Sequence, residues 1–165
     1  MTKMIGLDTS SSITGFGFYE NARLKEHGIL DHHKERDALV RTEDMIMDIS
    51  RILKEYKPQI IVVESPPLVN NPKTLILLSE IVGVVRGWSI AAGYAEYIEY
   101  ETSEWRRLVA DDDETIPRSR KDAKPWDIKK AKDLFGVISK DDNEADGILI
   151  GAARIKQMCE TIFPY

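Results

Sequence analysis

Residues 3–30, KMIGLDTSSSITGFGFYENARLKEHGIL, contain three segments with the pattern of β-strands. Met4–Leu7 is short and apolar, Ile13–Tyr19 alternates around glycines, and Arg23–Leu30 follows a polar turn. Short runs of this kind, joined by tight turns, are typical of antiparallel strands. The stretch therefore predicts three antiparallel strands, with Asp8 directly after the first.

The next segments alternate between helix and strand patterns. Apolar residues recur at helical spacing from Asp37 to Tyr56 and from Pro72 to Ala92, where Gly93 stands in the position of a helix terminator. Ile60–Val63 is a continuous β-branched run, and Ala95–Tyr100 alternates like a further strand. A β-branched run between two helices suits a buried strand parallel to the first.

The last third of the chain has the pattern of helices. A short helix is expected over residues 102–110, then a polar loop to Lys124, a helix that Pro125 opens and that runs to about residue 135, and a last helix over Asp141–Ile162. Three strands, helix, strand, helix, strand and helices together predict an α/β fold with a mixed sheet. A chain of 165 residues suits one domain over residues 1–165.

Composition narrows the class of protein. The single cysteine, Cys159, cannot form an internal disulfide, and no Cys/His spacing suggests zinc, so a reducing cytoplasm is expected. The N-terminus lacks a leader pattern and no 18-residue apolar span is apparent, so neither secretion nor a membrane is expected. The net charge of −5 argues against a general polyanion binder.

The charge is distributed unevenly along the chain. Acidic residues 111–114 directly precede a basic run between Arg118 and Lys132, in which seven basic residues stand against two acidic ones. Such a run can be a solvated face, but its closeness to the last helix favours phosphate contacts.

Two carboxylates follow buried strands. Asp8 follows MIGL and Glu64 follows IIVV, and sites in such sheets lie beyond the carboxyl ends of the parallel strands. Asp142 and Asp146 share one face of the last helix, since they are four residues apart. Loop-starting acids are common, and the helix dipole explains Asp142 readily, but it explains Asp146 less well.

Clustered carboxylates repel one another unless a cation neutralises them, and hard oxygen ligands select magnesium or manganese over zinc. Two such ions roughly 4 Å apart can activate water and stabilise the leaving oxygen of a phosphodiester. Phosphodiester hydrolysis is the chemistry that this arrangement suits.

Four segments resemble the RuvC-type Holliday-junction resolvases, including phage-encoded relatives, over nearly the whole chain: IGLDTSSSITGFGFYE, IIVVESPP, KTLILLSEIVGVVRG and EADGILIGAAR. The resemblance implies an RNase H-like fold, a homodimer, two Mg²⁺ ions that Mn²⁺ can replace, and paired nicks across a four-way DNA junction. It places Asp8, Glu64 and Asp146 on the family's metal-binding positions.

The sequence departs from the family at three places. The position three before Asp146 is Asn143, so the fourth ligand is open among Asp142, which we favour, Asn143 and then Glu144. Thr9-Ser10 replaces a common Pro-Gly pair, which bears on backbone geometry. Pro67-Leu68 stands where bacterial members have a stacking aromatic residue, which bears on junction-core stacking and on the choice of cleavage sequence.

Three other functions are alternatives to this one. The opening motif also resembles the phosphate loop of actin-like sugar kinases, but 165 residues leave no room for their second loop and adenosine site. A related nuclease for structured RNA and a non-catalytic binder of branched DNA both stay open. Matched DNA and RNA substrates and magnesium-dependent nicking would separate them.

The remaining predictions concern partners. The helix Pro72–Ala92 is apolar on more than one stripe, which favours a homodimer interface. A helicase partner stays open. The histidines His27, His32 and His33 are taken as surface residues, and the three tryptophans as packing residues. The residues predicted to contact the DNA backbone are Lys73, Arg106, Arg107, Arg118, Arg120, Lys121, Lys124 and Lys129.

Overall fold

A five-stranded mixed sheet forms the centre of the computed structural model. The structure describes residues 1–66, 71–117, 119–139 and 141–162, with the backbone alone at 120 and 160–162. The strands stand in the order β3-β2-β1-β4-β5, in which β1, β2 and β3 pair antiparallel and β4 and β5 run parallel to β1. Their bounds are β1 Lys3–Asp8, β2 Ile13–Glu20, β3 Arg23–Asp31, β4 Ile60–Glu64 and β5 Glu96–Tyr100.

Five helices lie among the described residues, with the bounds α1 Ala38–Tyr56, α2 Pro72–Ala92, α3 Thr102–Val109, α4 Arg120–Phe135 and α5 Asp142–Ile162. Local signals explain their ends. Asp37 caps α1 by accepting from the backbone N–H groups of Leu39 and Val40, and Gly93 ends α2 with a left-handed φ of 71°. The mixed α/β fold predicted from the sequence is therefore confirmed, with bounds that differ by one or two residues in most elements.

The two faces of the sheet have separate cores. On one face, Ile5, Leu7, Ile61 and Val63 pack with apolar residues of α1 and α2. On the other face, Met4, Ile60 and Val62 pack with residues of α3 and α5. Because neighbouring strand residues point to opposite faces, the continuous apolar run of β4 supplies both cores.

Glycines let α5 lie directly on the sheet. A Cβ added at Gly15 of β2 would clash with the backbone of Asn143, and one added at Gly147 of α5 would clash with the backbone of Gly15 and Phe16. This close approach brings the first turns of α5 against the end of β1, since Gly15 pairs with Asp8 in the sheet. The alternating glycines of ITGFGFY thus place α5, a role that periodicity alone did not reveal.

The start of α4 differs from the prediction. The helix begins at Arg120 and includes Pro125, whereas the sequence suggested a loop to Lys124 and a start at Pro125. Ser119 caps the earlier start, because its hydroxyl accepts from the backbone N–H of Asp122 (3.2 Å) and donates to the Asp122 carboxylate (2.7 Å). This reciprocal capping resembles a capping box, a local signal stronger than the preference of proline for the first turn.

The helix α2 keeps an uncovered apolar side. Ile81, Val82 and Val85 are buried against the sheet, while Ile76 is 56% exposed and Ile90 is 73% exposed. By length and composition alone, α2 is also apolar enough to cross a membrane, which corrects the expectation that no 18-residue apolar span occurs. Its buried side and its place between β4 and β5 are those of a helix that covers a sheet.

Candidate active site

A cavity of about 460 Å³ opens at the carboxyl ends of β1 and β4. The predicted acids Asp8, Glu64, Asp142 and Asp146 all line it. The structure therefore brings four carboxylates from three separate stretches of sequence to one cavity, as their places at two strand ends and on one helix face predicted. Among the described residues, the other side chains on its wall are Thr9, Ser10, Ser65, Pro66, Leu78, Thr102, Arg106, Lys124 and Asn143.

The turn after Asp8 is held by its own hydroxyl groups. Ser10 Oγ donates to the carbonyl of Ile13 (2.7 Å) and accepts from the backbone N–H of Ile13 (3.0 Å). Thr14 Oγ1 donates to the carbonyl of Ser10 (3.0 Å) and accepts from its N–H (3.1 Å). These bonds fix the wall next to Asp8 at Thr9-Ser10, where the resemblance seen in the sequence had implied a Pro-Gly pair.

Glu64 is held by two neutral donors from α3. Thr102 Oγ1 donates to Glu64 Oε1 (2.6 Å), and Trp105 Nε1 donates to Glu64 Oε2 (2.7 Å). Trp105 is fully buried, as expected of a packing residue, but its indole N–H also donates a hydrogen bond to an acid of the site. Sequence reasoning missed both partners; the position of Thr102 and Trp105 just after β5 was the available signal.

Asp146 has one carboxylate oxygen inside the protein. Its Oδ1 is shut off from solvent, and among the described residues nothing donates a hydrogen bond to that atom. Burial raises the pKa of Asp146 well above the ordinary value of an aspartate, and the charges of Asp8, Asp127 and Glu64 raise it further, against the opposing effect of Arg106. A negative charge on Asp146 would therefore be under-compensated by the described side chains.

A buried ion pair stands behind Asp146. Arg106 binds Asp127 through two bonds, Nε to Oδ1 (3.0 Å) and Nη2 to Oδ2 (2.7 Å), and Asp127 is fully buried. Burial raises the pKa of Asp127, and its hydrogen bonds with Arg106 and Asp146 oppose that rise. Asp127 was not predicted; a lone acid among lysines in α4 gives no sequence signal that it is buried.

The start of α5 separates the three candidates for a fourth ligand. Asp141 caps the helix by accepting from the N–H of Glu144 (3.0 Å). Asp142 lines the cavity, where it forms an ion pair with Lys124, and Asn143 lines it too. Glu144 is buried and binds His27 Nδ1 (2.8 Å), on the β3 side. Among the three, Glu144 is thus the one not found on the cavity wall.

The donor set fits a divalent cation in chemistry. Aspartate and glutamate oxygens are the ligands that Mg²⁺ and Mn²⁺ prefer, and Asp146 Oδ1 is a buried acceptor to which no described residue donates. Within the described residues, no three acidic, histidine or cysteine side chains lie close enough together to bind the same ion. Both oxygens of Glu64 face α3 donors in this arrangement.

The residues predicted to contact DNA have different surroundings. Lys73, Arg107 and Lys121 are exposed. Lys129 is also exposed but forms an ion pair with Asp133. Arg118 and the side chain of Arg120 lie outside the described residues, as do Pro67 and Leu68.

Arg106 and Lys130 also have acidic partners in the protein. Arg106 lines the cavity with two of its five donors bound to Asp127. Lys130, which the basic run includes, is buried and paired with Asp111 and Glu114. The acidic residues just before the basic run therefore neutralise part of it, and the run is not a uniform face.

Two tryptophans and two histidines have partners away from the cavity. Trp126 Nε1 donates to Glu114 (2.8 Å), and Trp88 packs edge-on against Tyr94. His32 binds Asp48 and His33 binds Asp31, both away from the cavity lining.

Comparison with known proteins agrees with this fold. No protein-family model matches the chain. The chain is 33% identical over 87 residues, half of its length, to crossover junction endodeoxyribonuclease RuvC of Thermosipho melanesiensis. That match spans 55% of the relative, so the chain covers about half the length of the curated relatives it matches.

Solved structures extend the likeness to nearly the whole chain. The fold matches T. thermophilus RuvC in complex with a Holliday junction substrate with a TM-score of 0.73 over 96% of both chains, at 13% identity. It matches the fowlpox virus resolvase in complex with Holliday junction DNA with a TM-score of 0.63 over 95% of this chain and 99% of the other, at 14% identity. The likeness to RuvC-type resolvases that the motifs predicted is thus confirmed in sequence and in fold.

Proposed function

We propose that this protein is a divalent-metal-dependent endonuclease that cuts branched DNA, with the four-way junction as its main substrate. The observation that carries the proposal is the cavity that Asp8, Glu64 and Asp146 all line, with a buried Asp146 oxygen to which no described residue donates a hydrogen bond. The similarity to RuvC sequences supports this substrate class.

The acids of the cavity would hold the metal. Asp8, Glu64 and Asp146 are the ligands, and Asp142 is the fourth, with Asn143 as a neutral oxygen donor beside it. Mg²⁺ or Mn²⁺ bound there, as two ions per site, would supply Lewis-acid stabilisation of the charge that develops on the phosphate and would lower the pKa of the attacking water.

The cationic residues of the wall orient the substrate. Lys124 and Arg106 line the same cavity as the acids, so a phosphate that enters meets positive charge on the α3 and α4 side. The exposed Arg107, Lys121, Lys73 and Lys129 extend that charge outside the cavity, and Arg118 and Arg120 are proposed as further contacts from the sequence alone. Contacts of this kind fix the position of a backbone without reading its sequence.

Paired nicks require two such sites, and α2 is the proposed dimer interface. Its exposed side carries Ile76, Val84 and Ile90, and among the described residues no atom lies within 4 Å of a Cβ added at Gly83 or Gly87. An apolar side with two glycines four residues apart permits close packing against a second copy of the helix. Ile76, Gly83, Val84, Gly87 and Ile90 together form the α2 face.

A substrate panel tests the proposal. The protein is incubated with a synthetic four-way junction, a replication fork, a flap, a linear duplex and an RNA four-way junction, in Mg²⁺, Mn²⁺ or Ca²⁺. We expect binding in all three metals and symmetric nicks in the DNA junction with Mg²⁺ and Mn²⁺. Tight junction binding without nicking in either metal would identify a non-catalytic binder, and faster cleavage of the RNA junction would identify a ribonuclease.

A further inference from the structure

The side chain of Glu64 is fixed from one side by two donors on a single turn of α3. Thr102 and Trp105 are three residues apart, so they share one face of the helix, and each binds a different oxygen of the carboxylate (2.6 and 2.7 Å). A glutamate at a strand end would otherwise be free to rotate about its side-chain bonds. Two separate donors restrict both its position and the tilt of its carboxylate plane.

The donors are themselves held firmly. Trp105 is fully buried and packs in the core that α3 shares with α5. The Arg106 guanidinium lies 4.8 Å from the centre of the Trp105 ring, and Arg106 is bound in turn to the buried Asp127. An indole fixed on several sides provides a rigid N–H donor for Glu64.

Neutral donors leave the charge of Glu64 available. Lys124 neutralises Asp142, whereas a hydroxyl and an indole N–H donate to Glu64 without adding a positive charge. Each carboxylate oxygen has two acceptor sites, so an oxygen that accepts one hydrogen bond can still ligate a cation. Partners of this kind orient metal ligands, and their loss typically costs 10- to 100-fold in metal affinity or activity.

We propose that Thr102 and Trp105 are positioning residues of the metal site, which hold the Glu64 carboxylate in the orientation that a divalent cation requires. The inference rests on the proposed function, because it assumes that Glu64 is a metal ligand. It assigns to α3 a part in metal binding in addition to its packing against α5.

The test measures Mn²⁺ binding directly, by isothermal titration of the DNA-free protein, beside junction cleavage. Thr102→Val keeps the shape of the side chain without the hydroxyl, and Trp105→Phe keeps an aromatic ring without the N–H. We expect Mn²⁺ affinity to fall about tenfold in each variant. Thr102→Ser retains the donor and should restore most of the affinity.

Two matched controls remove the same chemical groups elsewhere. Thr42→Val removes a buried hydroxyl that donates to the carbonyl of Ala38, and Trp126→Phe removes an indole N–H that donates to Glu114. Neither residue lines the cavity, so both variants should bind Mn²⁺ as the unaltered protein does. Thermal unfolding of all variants shows whether any loss of affinity follows from a loss of folded protein.

Glu64→Gln separates a failure of the positioning role from a failure of the proposed function. If Glu64→Gln loses Mn²⁺ affinity while Thr102→Val and Trp105→Phe keep it, the positioning role is wrong and the proposed function stands. If Glu64→Gln also binds Mn²⁺ normally, Glu64 is not a ligand, and both proposals fail. Tighter Mn²⁺ binding by Thr102→Val would mean that the hydroxyl competes with the cation, which overturns the inference as well.

Discussion

Lys124 forms an ion pair with Asp142 on the wall of the cavity. Lys124 was predicted to contact the DNA backbone and Asp142 to be the fourth metal ligand. In this structure the charges of the two side chains neutralise each other. A phosphate or a metal ion entering the cavity would compete with this pair. The pair therefore allows a test of whether Asp142 acts on metal directly or only through Lys124.

Asp142→Asn should lower junction cleavage by about 10- to 100-fold, because it removes a charged ligand. Lys124→Gln should also lower cleavage, through a weaker contact with the phosphate. If the two residues have separate functions, the double variant will cleave more slowly than either single variant. Single-turnover rates in Mg²⁺ measure this.

A double variant no slower than the worse single one would show that Asp142 serves only to hold Lys124. Asp141→Asn is the matched control for the loss of an acid at the start of α5. Asp141 caps the helix, and asparagine caps equally well, so cleavage should be unchanged.

Glu64→Gln should separate cleavage from binding. The amide keeps the size of the side chain but loses the negative charge that a cation requires, so cleavage should fall by at least about 10²-fold, on the order of 3 kcal/mol. Junction binding should survive or tighten, since a charge that repels phosphate is gone. Glu99→Gln, a change of an exposed acid on β5, is the control. Cleavage by Glu64→Gln at the unaltered rate in Mg²⁺ would refute the carboxylate-metal mechanism.

The fold was predictable because apolar periodicity reports directly on burial. The runs before Asp8 and Glu64 needed to be buried on both faces of a sheet, and parallel strand ends meet at one edge, so the two acids were placed correctly. Asp146 followed from its position on the same helix face as Asp142.

The pairing of side chains was not predictable in the same way. Arg106 and Asp127 lie 21 residues apart on different helices, and no periodic signal reports that α3 and α4 place them together. Lys130 carries the same charge as Lys129, yet only Lys130 is buried with acidic partners. A run of basic residues shows that positive charges are present in the sequence. Which of those side chains can contact DNA depends on the tertiary contacts that each of them makes.

The α2 face should mediate dimerisation. Gly83→Ala with Gly87→Ala should stabilise the separate helix by up to about 1 kcal/mol per residue, because alanine favours helix and no described neighbour obstructs the added methyl groups. The same methyl groups should weaken dimerisation, since they separate two closely packed backbones. Sedimentation over a concentration series measures both forms, with Met47→Ala on the exposed side of α1 as a control.

Two results would count against the α2 interface. If the unaltered protein sediments only as the 18.8 kDa chain at micromolar concentration, the homodimer prediction is wrong. If the double alanine variant dimerises as tightly as the unaltered protein, the chain associates through another surface.

The metal-free protein should lose stability as pH rises, through Asp146. Its pKa in the folded protein is raised, chiefly by burial, so above the ordinary carboxyl range of about 4 the folded state holds a proton that the unfolded chain has released. The contribution of this group to stability is complete below that range and is lost as pH rises toward the raised pKa. Asp127, whose pKa is also raised, contributes in the same direction.

Divalent cations should offset this loss, because they bind the ionised carboxylate. A ligand at a hundred times its Kd stabilises a folded protein by about 2.7 kcal/mol, so Mn²⁺ should raise the Tm clearly at pH 8 and less at pH 6. Asp146→Asn removes the buried charge, so this variant should be more stable than the unaltered protein at pH 8 without metal and should respond weakly to Mn²⁺.

Asp133→Asn, the control, alters an exposed acid of α4 and should keep the full response to Mn²⁺. Calorimetric scans at both pH values, with EDTA or with Mn²⁺, measure the Tm of each variant with and without metal. An equal rise in Tm for Asp146→Asn and the unaltered protein would show that the cation binds elsewhere, and the buried Asp146 would then be a structural acid.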